Sequence, residues 1–289
     1  MKRVTRPLRI RSLQLLLLLG VIAWDIPSLA RTIDPVNDQS IISQLSTEGG
    51  NLIEAKKVVP QAELIKELNR VQAKISLSAN KPLVSNLSDL YAKAKPAVLV
   101  IGGIYKCDKC TRWHSNCAGG FALTVDGKAV TNYHVVNQPS NGAMIAMTGD
   151  GKMYPIKEVL AASKVDDVAI VQLDLPRGVS LQILPVAPSI QPGTHIQIIS
   201  HPDSHFYTLT DGIVSRYANR AGSTWLCVTA DYAKGSSGCP VMNDKGQVVG
   251  IVANTESIYY SEENGVQKNL QMVIRNCVPS AAILKLIAK

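Results

Sequence analysis

The stretch KGSSGCPVMND, residues 234 to 244, sets Ser236 and Ser237 side by side between glycines and follows them with a cysteine and a proline. A serine hydroxyl attacks a carbonyl only when a base takes its proton, a third group orients that base, and N–H donors meet the developing oxyanion. The chain offers both partners upstream. TNYHVV places His134 at the end of an apolar strand pattern, and DDVAIVQLD opens another with Asp167, a residue type that strands usually avoid. In the order His, Asp, Ser, an imidazole can accept the serine proton while a carboxylate holds its other nitrogen. Each residue also has a plain structural reading: a strand-end histidine, a turn acid for which Asp166 competes, and a turn serine.

A second constellation lies in CDKCTRWHSNC, where Cys107, Cys110, His114 and Cys117 could supply four zinc ligands from one loop. The same cysteines could instead form a disulfide, and compartment decides between the two. Residues 1–30 read as a signal peptide: a basic MKRVTRPLRIRS, an apolar LQLLLLLGVIAW, and small residues at Ser28 and Ala30. The apolar run is short for a membrane span. Export to the periplasm or outside the cell is therefore expected, with no stable span after cleavage and at least one disulfide within the cysteine loop. In HPDSH, His201, Asp203 and His205 form a weaker metal candidate, and a plain turn is expected.

The 289-residue chain has a formal charge of +8 and 46% hydrophobic residues, enough apolar material for a sizeable core. Residues 1–30 carry five of the basic residues and one acid, so their removal leaves +4. No aromatic-interleaved basic stripe points to nucleic acid.

The elements that must position the candidate residues divide at about residue 85. Residues 31–85 read as a helical extension: STEGGN as a break, then PQAELIKELNRVQAKI with Leu64, Ile65, Leu68, Val71 and Ile75 on one helical face. The extension either packs on the main domain or serves as an arm for homo-oligomers. A short helix NLSDLYAKA should stop before Pro96. Residues 86–289 form the main domain. They hold many short β-rich runs with turns between them, among them AVLVIGG, KAVTNYHVV, DVAIVQLD, HIQIISH and QVVGIVAN, and end in a helix begun by Pro279. An all-β class is expected.

TNYHVV, DDVAIVQLD and GSSGCPV, in this order, resemble the three motifs of trypsin-like serine proteases, closest to the HtrA (DegP) branch. The resemblance covers roughly residues 90–289, with TDGIVS and GQVVGI around the serine. It implies two six-stranded antiparallel β-barrels with the site between them, and an endopeptidase acting on protein or peptide substrates without a cofactor. Ser237 would be the nucleophile and Ser236 the variable position, while the Gly235 and Ser237 amides form the oxyanion hole. A protease-fold binding module without turnover is the alternative. Ser236 stands where digestive relatives carry an activating aspartate, so zymogen cleavage of that type is not expected, nor is a PDZ domain after the last helix. Cys239 replaces a family glycine and reads as a packed, inert thiol. Asp231, with Val252 and Ala253, is the expected substrate pocket. Asp231 is read there as a structural residue beside a small aliphatic pocket, with basic specificity as the alternative.

Overall fold

A computed structural model describes residues 35–138 and 142–288; the signal segment expected at residues 1–30 lies outside the described residues. The chain enters through helix α1, Asp38–Glu54, whose first turn is capped by Asn37 Oδ1 accepting from the Ser40 N–H. A short helix α2, Gln61–Lys66, a two-residue strand β1, Ala73–Lys74, and helix α3, Leu90–Ala94, lead to the strands.

Two corrections concern this first segment. STEGGN is not a break, because α1 runs straight through Gly49 and Gly50. Both glycines are sites of close approach: a Cβ on Gly49 would lie 2.8 Å from Ile104 Cγ1, and one on Gly50 would lie 2.1 Å from Trp113 Cδ1. The helix spends about 1 kcal/mol of propensity per glycine to lie flat on the sheet. Conversely, the helix expected to reach Ile75 ends in a 3₁₀ turn at Glu67–Asn69. Tertiary bonds override the periodicity there. Glu67 Oε2 accepts the Val159 N–H at 2.7 Å, and Arg70 donates to the Val159 carbonyl and to Glu158, both at 2.7 Å. Val71 is left exposed.

The first barrel comprises β2 Val98–Lys106, β3 Trp113–Ala122, β4 Lys128–Thr131, β5 Ala143–Met147, β6 Met153–Ser163 and β7 Val168–Leu173, with the short helix α4, Tyr133–Val136, after β4. The strands close in the order β2-β3-β4-β7-β6-β5. The second comprises β8 His195–Ser200, β9 Thr208–Arg220, β10 Ser223–Val228, β11 Pro240–Asn243, β12 Val248–Glu263 and β13 Val266–Pro279, closed as β10-β13-β12-β11-β8-β9. All pairings within both barrels are antiparallel. Helix α5, Ser280–Lys285, follows Pro279, and β14, Ile287–Ala288, pairs in parallel with β1. The class is all-β, two six-stranded barrels, as expected.

Each barrel fills its own interior with β-branched and aliphatic side chains, such as Val159, Val171 and Leu173 in the first and Ile196, Val241 and Val249 in the second. A third core joins them, where Val100, Phe121 and Ile170 meet Ile199, Met242 and Ile251. The expected extension belongs to these cores: Leu64 and Leu68 enter the first barrel's cluster and Leu45 the shared one. Among the described residues, no helix is long and apolar enough to cross a membrane.

Candidate active site

Antiparallel pairing of β4 with β7, in the register Thr131 to Ala169, brings the end of one strand beside the start of the other. His134 and Asp167 meet there. The strand pattern of KAVTNYHVV stops at Thr131, and the chain turns helical so that His134 sits in α4. Asp167 precedes β7 with φ of 54°, a left-handed conformation that aspartate tolerates better than bulky residues. Three bonds hold this corner. Asn132 Nδ2 donates to the Asp167 carbonyl at 2.8 Å, the His134 N–H donates to Asp167 Oδ1 at 3.0 Å, and His134 Nδ1 lies 2.9 Å from Oδ2. Because an ionised carboxylate only accepts, Nδ1 carries the proton and Nε2 is left as the basic atom. Asp166 turns elsewhere, accepting from Ser163 and Ser223.

Ser237 lies in a tight turn between Gly235, φ 96°, and Gly238, φ 87°. Neither position has room for a side chain: a Cβ on Gly235 would meet the His201 carbonyl at 2.6 Å, and one on Gly238 the Gly119 carbonyl at 2.3 Å. The Ser236 N–H donates to Ala233 O and the Gly238 N–H to Val252 O, whereas among the described residues the Gly235 and Ser237 amides have no acceptor. Two unpaired donors flanking one hydroxyl suit a developing anion. Ser237 Oγ donates to the Ala253 carbonyl at 3.2 Å, while Ser236 is fully buried.

The turn is fastened to the other barrel. Gly119 of β3 donates its N–H to the Ser237 carbonyl at 2.7 Å and accepts from Thr131 Oγ1 at 2.8 Å. A Cβ on Gly119 would lie 2.0 Å from Cys239 Sγ, so the cysteine fills the space that Gly119 leaves. Burial pushes the Cys239 thiol far above its ordinary range, consistent with an inert packed role. His201 makes a second tie, with Nε2 3.1 Å from the Leu99 carbonyl of β2 and Nδ1 accepting the Tyr207 N–H at 3.1 Å. Burial lowers its pKa to about 4. His201 is thus a structural histidine, and HPDSH is a turn whose His205 bonds the Pro202 carbonyl.

His134, Gly235 and Ser237 line one cleft of about 360 Å³. Gln61, Asn116, Gln138 and Lys234 line it too, and the sequence reading missed them. For Gln61 no signal existed, since it comes from the extension, more than seventy residues before His134 in the chain. Of the expected substrate pocket, Val252 and Ala253 are buried directly behind the nucleophile. Asp231 is not: its side chain is 74% exposed and ion-pairs with Arg275. The interior beside it is taken by Tyr232, whose hydroxyl lies 2.9 Å from the Asn276 carbonyl and 3.0 Å from that of Asn254.

The cysteine loop also departs from expectation, since all six cysteines are free thiols. Cys107, Cys110 and His114 converge, whereas Cys117 does not join them. It lies three residues beyond His114 on β3, so alternation turns it to the other face, and it lines the cleft together with Asn116.

Residues 118–251 match the trypsin-like peptidase domain family, a span that includes His134, Asp167 and Ser237. The chain is 30% identical over 175 residues to the serine protease HTRA1A of Danio rerio, covering 57% of this chain and 36% of that one. It is 32% identical over 136 residues to a probable periplasmic serine endoprotease, DegP-like, of Rhizobium meliloti, covering 46% and 26%. The anti-sigma-I factor RsgI9 of Acetivibrio thermocellus is similar as well, 31% identical over 135 residues, covering 46% and 18%. The chain thus spans about a third or less of the length of these curated relatives. With two closed six-stranded barrels and a match to the trypsin-like peptidase domain family running from β3 into β12, the chain has the trypsin-like two-barrel fold and is similar to the HtrA and DegP-type serine proteases.

Proposed function

We propose that the protein is an exported serine endopeptidase that hydrolyses peptide bonds through an acyl-enzyme on Ser237. The observation that carries this reading is the corner at His134. Its Nδ1 is fixed by Asp167, and it shares a cleft with a serine flanked by two unpaired amides. In the reaction the Ser237 hydroxyl leaves the Ala253 carbonyl and gives its proton to His134 Nε2 as Oγ attacks the substrate carbonyl. The Gly235 and Ser237 amides receive the oxyanion, the imidazolium returns the proton to the leaving amine, and water repeats the sequence to release the acid. Asp167 orients the ring and offsets its transient charge. No step requires a metal or an organic cofactor.

Specificity follows from the pocket side. The Asp231 carboxylate is engaged by Arg275 at the surface, and Tyr232 fills the neighbouring interior, which favours small aliphatic side chains before the scissile bond. The two named relatives described as proteases suggest protein substrates, and the DegP-like one is described as periplasmic. A single experiment tests the reaction: labelling with a fluorophosphonate and mapping the modified peptide. Modification of Ser237 supports it, and an unreactive Ser237 in folded protein refutes it. The hydrogen bond from Ser237 Oγ to Ala253 favours a second reading, a peptide-binding module without turnover, and the same unreactive outcome would support that one.

A further inference from the structure

The tip of the β2–β3 hairpin holds a side-chain cluster that the proposed reaction does not use. Cys107 follows β2, Cys110 lies in the turn, and His114 is the second residue of β3, paired with Tyr105. Their donor atoms form a closed triangle. Cys107 Sγ is 3.5 Å from Cys110 Sγ, and His114 Nε2 is 3.3 Å from the first sulfur and 3.0 Å from the second. Among the described residues, no other group of three histidine, cysteine or carboxylate side chains converges in this way. The cluster precedes residues 118–251, so the family match says nothing about it.

We propose that Cys107, Cys110 and His114 bind one zinc-type divalent ion, with the fourth coordination position open to solvent. Tetrahedral zinc with Zn–S of about 2.3 Å and Zn–N of about 2.0 Å separates two sulfurs by about 3.8 Å and a sulfur from a nitrogen by about 3.5 Å. The observed edges are close to these values, so a small outward adjustment seats an ion at the centre of the face. Two thiolates and an imidazole form a soft donor set that selects zinc over magnesium or calcium, which take oxygen ligands. A disulfide between Cys107 and Cys110 would explain two of the three groups and leave the position of the imidazole unexplained. Two thiolates also cancel the charge of the ion, so Lys109 and Arg112 in the same turn meet a neutral centre. Cys117, turned to the opposite face, is not a ligand.

The location gives the ion a mechanical role. From His114 the strand runs through Asn116 and Cys117, which line the cleft, to Gly119, which bonds the Ser237 carbonyl. Closing the loop from Cys107 to His114 stiffens the wall of the cleft opposite the nucleophile turn. The site stands on its own geometry and is independent of whether the cleft turns over substrate.

The test uses the full mature chain purified under reducing conditions and equilibrated with zinc chloride, its metal content measured by elemental analysis after gel filtration. The expected result is about one zinc per chain, lost in Cys107→Ser, Cys110→Ser and His114→Ala and retained in Cys117→Ser. Loading with cobalt should give thiolate-to-metal charge-transfer absorption in the wild type and in Cys117→Ser, weakened when either ligand cysteine is replaced. Circular dichroism of each variant separates loss of the site from loss of the fold. The proposal is overturned if the folded wild type holds no zinc, if Cys110→Ser binds zinc as the wild type does, or if Cys107 and Cys110 are found disulfide-bonded in zinc-saturated protein. Fluorophosphonate labelling of Ser237 in the same samples reports on the proposed reaction separately.

Discussion

The two barrels have the same strand count and closure but are supported differently. The first is strapped from outside. Helix α1 lies across β2, β3 and β5, Ser46 Oγ meets Ser115 Oγ at 3.2 Å, Trp113 Nε1 donates to Glu54 at 2.9 Å, and α2 sinks Leu64 into the core. The second is tied differently: the Leu83 N–H donates to the Lys245 carbonyl at 2.8 Å, Gln247 Nε2 donates to Asn80 Oδ1 at 2.7 Å and α5 packs on β12. Its β12–β13 hairpin extends well past the barrel, ending in exposed side chains such as Tyr260, Leu270 and Met272. The difference follows the division of labour. The first barrel holds His134, in α4, and Asp167, just before β7, in one geometry. The second presents a turn shaped by Gly235 and Gly238 and by bonds within the loop, and held from the first barrel by the Gly119 N–H on the Ser237 carbonyl. Residues 36–75 are therefore the brace of the barrel that carries His134 and Asp167.

The largest effect should come from the second barrel's own contribution. Ser237→Ala should lower kcat by about 10⁶ while Ser236→Ala, a buried neighbour, retains most activity, as measured on a peptide substrate. Equal losses in both would mean that the turn presents neither hydroxyl specifically. On the first barrel, Asp167→Asn should cost about 10⁴ in kcat, because an amide no longer fixes the Nδ1–H tautomer of His134. A loss below about tenfold would remove that barrel from the chemistry.

The tie between the barrels should be visible in stability against pH. His201 protonates at about 4 in the folded chain and near 6.5 when unfolded, so between these values the unfolded state binds more protons. Its contribution is complete above about pH 6.5 and is lost as pH falls towards 4, on the order of 3 kcal/mol. His201→Gln should flatten that part of the denaturation profile; an unchanged slope would show that the tie is not proton-sensitive.

The smallest effects sharpen the contrast in support. Gly50→Ala drives a methyl into the Trp113 ring and should destabilise by about 1–3 kcal/mol despite the better helix propensity. Tyr260→Ser, on the unstrapped hairpin, should stay within about 0.5 kcal/mol. Thermal melts of the two variants side by side would reveal a reversed order, and with it a wrong assignment of the brace.

The strands that were legible are those written in β-branched runs, such as AVLVIGG and DVAIVQLD. Strand β6 was missed because Pro155 and the charged Lys157 and Glu158 interrupt its pattern, and β11 because four residues after a glycine turn carry no periodicity of their own. At the site, residue types announced His134, Asp167 and Ser237, whereas the ion pair that draws Asp231 to Arg275 depends on β13, some forty residues later. Gly49 and Gly50 misled because a glycine pair reads as a break unless the facing tryptophan is known. Cys117 was grouped with His114 by spacing along the loop, and only the strand register put it on the other face.

The parallel seam of β1 and β14 bears on how the chain is made. Ala73 and Lys74 pair with Ile287 and Ala288, and the Ala73 N–H bonds the Leu286 carbonyl at 2.9 Å. Closing a loop of that span costs roughly 5 kcal/mol of chain entropy before either end gains a partner. On the ribosome the brace, the first barrel and the second barrel emerge in that order. Until Ile287 and Ala288 have left the exit tunnel, the end of the brace at Ala73 has nothing to pair with. Residues made late, in the second barrel's wake, thus fasten the end of the brace, which was made before either barrel.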